Sequence, residues 1–317
     1  MEQNNLEENA VSSAEGAAAK ERDYMIPASI IIAALLIAGS WIYTTGVKNA
    51  PAEKVVLGSN QSVPAVADLE SAVLPANGVV LPAKWGDLGL QMVNAGVIDK
   101  AKFEALYEGR GGLDAETKQL LSAAGGGNLK INAQNAGTLL NLLWALGLGN
   151  KNAVLDNGPM KDSRYGGAQN FASTAGWTLA QGNAMDHYSH HSFVSLSKDQ
   201  QDLVERVSKN IYRPCCGNSV YFPDCNHGIA MLGLLELMAS QGVSEADMYK
   251  YALAVNSYWF PDTYVTIAKY MAAKGISWDK VDAKEVLGAA YSSSAGYQKV
   301  LTETEPAVPK SAGGCAV

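Results

Sequence analysis

The sequence predicts an all-α fold, in which a single N-terminal transmembrane helix precedes a helical extracytoplasmic domain with long loops. Three observations carry this reading. Residues 24–47 contain no charged side chain over 24 positions. A helix-stopping pattern, Met-x-x-x-Gly followed by Val or Ile, recurs at Met92, Met238 and Met271. Outside residues 48–82, no apolar–polar alternation runs longer than four or five positions, which leaves strands without their usual pattern.

In chain order, residues 1–23 are acidic and rich in Ala, Ser and Asn, and read as a disordered tail. Residues 24–47 would span about 36 Å as a helix, enough for a hydrocarbon core of ~30 Å. Tyr24 stands at one end of this stretch and Trp41 and Tyr43 near the other, as interfacial aromatics do. Lys20 and Arg22 before the span balance Lys48 and Lys54 after it, so charge does not set its orientation. A lone N-terminal span acts as a signal anchor. Ala50-Pro51-Ala52 offers a cleavage site, but it lies past the apolar run, which favours retention. The expected location is therefore the cell membrane, with the C-terminal domain outside. Residues 48–82 contain Pro51, Pro64, Pro75 and Pro82 among small residues and read as a tether.

A helical domain is expected over residues 83–301. At each recurring corner, a left-handed Gly (Gly96, Gly242, Gly275) would place Met at C3 and Val or Ile at C″ of a Schellman cap. Each corner is followed by a new start signal: Asp99, Ser244 with Asp247, or Ser277. Asp114 opens a helix that ends at the glycines 125–127. Residues 134–146 form another that stops at Gly147. Ser197 and Gln200 form a capping box. Residues 228–240 are apolar nearly all round and predict a central buried helix. Residues 249–259 and 263–273 are two more helices, separated by Pro261. Residues 150–182 read as a long irregular segment, and residues 302–317 as a tail carrying Cys315.

The formal charge of −7 sits mostly in the first 23 residues, where six acids face two bases. The remaining 25 acids and 22 bases are nearly balanced, which excludes a nucleic-acid surface. Four cysteines in 317 residues are too few for a disulfide scaffold. A phosphate loop is excluded as well, since no Lys-Ser/Thr follows the glycines 125–127.

Chemistry concentrates in residues 187–227, which hold all four histidines and three of the four cysteines. Cys215, Cys216, Cys225 and His227 offer thiolate and imidazole, the ligands of zinc and copper. His187, His190 and His191 lie at i, i+3 and i+4 and would share a helix face. Asp186 and Asp224 are candidate acceptors for imidazole N–H groups. The expectation is a transition-metal site, zinc or copper, in a carrier, sensor or store. A thiol–disulfide exchange protein, using Cys215 or Cys216 with Cys225, is the second reading. A structural surface domain with an inert Cys216–Cys225 disulfide is the third. An enzyme would need Cys215 or Cys216 paired with His190 or His227, and no orienting or oxyanion motif accompanies them.

The turn Pro214-Cys215-Cys216-Gly217, then Asp224-Cys225, then the helical run to Trp259 resembles the exported bacterial proteins named for a PCYCGC motif. The likeness spans residues 213–260, without the tyrosine between the first two cysteines or the motif's third cysteine. It implies export and a site built from cysteines.

Overall fold

The computed structural model describes residues 66–122 and 126–304. The acidic tail, the uncharged stretch 24–47 and Cys315 lie outside them.

Helices α1 (Val66–Val73), α2 (Leu88–Asn94), α3 (Lys100–Glu108), α4 (Ala115–Ser122) and α5 (Ala136–Gly149) make up the first half. Helices α6 (Lys198–Ser208), α7 (Asn226–Ser240), α8 (Glu245–Trp259), α9 (Pro261–Ala273) and α10 (Ser294–Thr304) make up the second. Short helical turns fill residues 153–187 and 278–292. The segment read as one long loop is therefore a chain of small turns.

The all-α expectation is corrected by a two-stranded antiparallel sheet. Strand β1 (Val79–Gly86) pairs with β2 (Gly126–Ile131), with Val79 opposite Ile131 and Gly86 opposite Gly126. Leu81, Ala83 and Trp85 alternate into the core. The register shifts between Val80 and Lys84, around Pro82, which has no N–H to give a ladder. The predicted tether thus ends in a helix and a strand. Of the glycines read as a helix stop, Gly126 and Gly127 begin β2.

The described residues supply no membrane anchor, and so nothing for the expected membrane partner and extracytoplasmic localisation to rest on; residues 24–47, where that expectation fell, lie outside them. Among the described residues no helix is long and apolar enough to cross a membrane. The longest, α7 and α8, have 15 residues each, about 22 Å against the ~30 Å required.

Two corners close as Schellman caps. Val243 N–H donates to Met238 O at 3.1 Å and Ile276 N–H to Met271 O at 2.9 Å, with Gly242 and Gly275 at φ +76° and +79°. At the first corner Ile98, one residue further on, makes this bond to Met92. Ser197 and Gln200 form the reciprocal capping box of α6.

The core is organised around α5 and α7. Residues Gly228 to Ala239 of α7 are all buried. The two helices approach backbone to backbone. A Cβ on Gly147 would lie 2.0 Å from Ile229 O, and one on Gly233 would lie 2.6 Å from Leu143 O. Gly147 is therefore a crossing point, and α5 runs on through Gly149 to a cap at Asn150. This crossing fixes α7, whose first turn carries the cysteine site. Deep in α7, Glu236 is fully buried and accepts from Asn150 Nδ2 at 2.8 Å.

Candidate metal centre

Residues 213–216 form a tight turn with Pro214 at its second position, closed by Cys216 N–H donating to Arg213 O at 3.0 Å. An antiparallel bridge between Tyr212 and Ser219 ties the base of the loop. Ser294 N–H, at the start of α10, donates to Cys216 O at 2.9 Å. Cys225 enters from the other side as the N-cap residue of α7, in extended backbone.

These segments bring three sulfurs together. Cys215 and Cys216 Sγ are 3.3 Å apart, Cys216 and Cys225 3.4 Å, and Cys215 and Cys225 3.8 Å. The three ligand atoms lie within 4.8 Å of one another, and no other His, Cys, Asp or Glu among the described residues joins such a group. An ion at about 2.3 Å from each sulfur would stand about 1 Å out of their plane, leaving a fourth position open. Cys225 is buried and the other two are half-buried; all three are free thiols.

The trio shares its protons unequally. Cys225 is held well below the usual thiol range by S–H donation from Cys215 and Cys216, with smaller help from His227 and Arg213, against its burial. Cys216 is pushed up to about 11: its bond with Cys215 lowers it, but donation to Cys225 and burial outweigh that. Cys215 is raised further, by its bonds to the other two sulfurs and then by burial.

Beside the sulfurs sits Arg213, fully buried and unforeseen from the sequence except as the neighbour of Pro-Cys-Cys. One Nη donates to Asp224 Oδ1 at 2.7 Å, while Nε and the other Nη have no partner. Burial disfavours its charge, but Cys225, Cys216 and Asp224 outweigh this and raise its pKa. Gly228 makes room for it, since a Cβ there would lie 2.9 Å from the guanidinium carbon. Asp224 takes its second bond from Asn218 Nδ2 at 2.6 Å, so its carboxylate serves the guanidinium and an amide. Burial still pushes the Asp224 pKa up, against Arg213 and Asn218.

His227 packs against Phe260 and Trp259, with ring centroids 4.4 and 5.7 Å away. Its ring favours the Cys225 thiolate, but its buried Nδ1 makes no hydrogen bond.

The upstream histidines form a cluster of their own. His187 Nδ1 is 3.0 Å from His191 Nε2, and His187 Nε2 is 2.8 Å from Gln181 O. The His191 ring stacks on Phe193, and burial lowers its pKa, followed by His187 and His190. His190 is exposed and meets His191 edge to face at 5.2 Å. Asp186 caps the helical turn of His187 by accepting from Asn183 N–H at 3.0 Å. This patch is built against the Gly96 corner, where His187 Cε1 would lie 3.5 Å from an added Cβ.

No family model, curated protein or solved structure matches this chain.

Proposed function

We propose that this protein binds a thiophilic metal ion through Cys215, Cys216 and Cys225, as a carrier, sensor or store, with zinc and copper the first ions to test. The observation that carries the reading is the convergence of three sulfurs within 4.8 Å from two separate segments. Thiolates select zinc and copper(I) over hard cations. The buried Arg213 charge favours thiolate beside it, and an ion bound to the three sulfurs would displace their protons.

The test is metal analysis and thiol titration of the full chain carrying Cys315→Ser, which leaves only these three thiols. One tightly held ion per chain, with all three thiols unmasked by a chelator, supports the reading. A chain that takes up no ion and oxidises Cys216 with Cys225 refutes it. That pair, 3.4 Å apart and not adjacent in sequence, is the natural disulfide of the exchange alternative.

A further inference from the structure

We propose that the ion this site is shaped for is a three-coordinate trivalent metalloid, arsenic(III) presented as arsenous acid, bonded to Cys215, Cys216 and Cys225. This rests on the metal-binding reading above and specifies its ligand.

The donor set is the first ground. Only sulfur enters the shell among the described residues, and both Asp224 oxygens are engaged, by Arg213 and Asn218. A closed zinc site takes four protein ligands. A trivalent metalloid fills its fourth direction with its own lone pair and needs none.

The shape of the triangle is the second. With bonds of about 2.3 Å, separations of 3.3, 3.4 and 3.8 Å give S–ion–S angles of about 90–110°. A flat three-coordinate ion such as copper(I), at the same bond length, would spread the sulfurs to about 4.0 Å. The triangle is compressed in the sense that a lone-pair pyramid requires.

Charge is the third. Arsenic(III) with three thiolates is neutral, so the Arg213–Asp224 pair, 2.7 Å apart, stays balanced. Zinc with three thiolates would leave one net negative charge beside Cys225, which is only 8% exposed. The chemistry closes as well. Three S–H and three As–OH bonds become three As–S bonds, three waters leave, and arsenic stays trivalent. Where Cys225 starts as thiolate, the displaced hydroxide takes its proton from solvent.

The experiment titrates the reduced full chain, carrying Cys315→Ser, with arsenite alone and in competition with zinc(II) and with copper(I). The expected result is one arsenic per chain, loss of all three free thiols, and arsenic retained against an equal concentration of either metal. Cys215→Ser, at a half-buried position, should weaken arsenic binding by about 100-fold or more by removing the last intramolecular bond. Its far-ultraviolet circular dichroism should match the parent chain. Zinc or copper(I) excluding arsenic, or arsenite consuming only two thiols, overturns this inference and leaves the metal-binding reading standing. Failure of all three ions to bind overturns both.

Discussion

Gly233 of α7 lies against the backbone of α5 so closely that a Cβ on it would stand 2.7 Å from Gly147 N. Alanine is the better helix former by about 1 kcal/mol in open helices. Here the two backbones must separate to admit a methyl group. Gly233→Ala should therefore destabilise the protein by about 2–3 kcal/mol in urea unfolding. A stabilised variant would mean that the two helices do not touch in solution.

Glu236 gives a prediction in pH. Burial raises its pKa well above the usual carboxylate value, against the hydrogen bond from Asn150 and the nearby Asn152 amide. The folded state thus holds a proton that the unfolded chain releases. Stability from this group is complete below about pH 4.3, the unfolded value, and is lost as pH rises towards the folded pKa. The loss should run at about 1.4 kcal/mol per pH unit within that window. Glu236→Gln should remove this slope whatever it does to absolute stability. Parallel stability–pH curves for the two proteins would show that Glu236 does not titrate across folding.

Arg213→Met tests the buried charge. It leaves the Asp224 carboxylate without its guanidinium partner, and breaking such a pair costs about 3 kcal/mol. The double variant with Asp224→Asn should recover part of that loss. A double variant as unstable as the sum of the two singles would show that the pair is not coupled.

Gly242→Ala probes the second corner. Gly242 sits at φ +76° with nothing within 4 Å of an added Cβ, so conformation alone opposes the change. The expected cost is about 1 kcal/mol, read as a drop in melting temperature. An unchanged melting temperature would show that the Schellman geometry of this corner is not required.

Much of the helical frame was readable because its signals are local. Gly242 and Gly275 each stop a helix within six residues of their Met, and Ser197 closes its box within four. The sheet was not readable, because Val79 meets Ile131 across 51 intervening positions and Pro82 is a residue that strands usually avoid. Gly147 illustrates a second limit: a crossing glycine and a stopping glycine are identical in sequence, and only the partner helix distinguishes them. At the site, the cysteine pattern led to the three sulfurs, while Arg213 and Asn218 went unnoticed because nothing local marks a buried arginine. The histidines 187–191 lie near the cysteines in sequence, but the chain spends His187 and His191 on each other and on Gln181 O.

The bond from Ser294 N–H to Cys216 O has a consequence for synthesis on the ribosome. A nascent chain that has emerged only through α7 already carries all three sulfurs, but lacks the clamp that holds the vicinal pair in place. The vicinal pair therefore reaches its final position late in translation, once α10 has cleared the exit tunnel and docked. A truncation just before Ser294 would carry the three thiols without the bond that holds Cys216 in its turn.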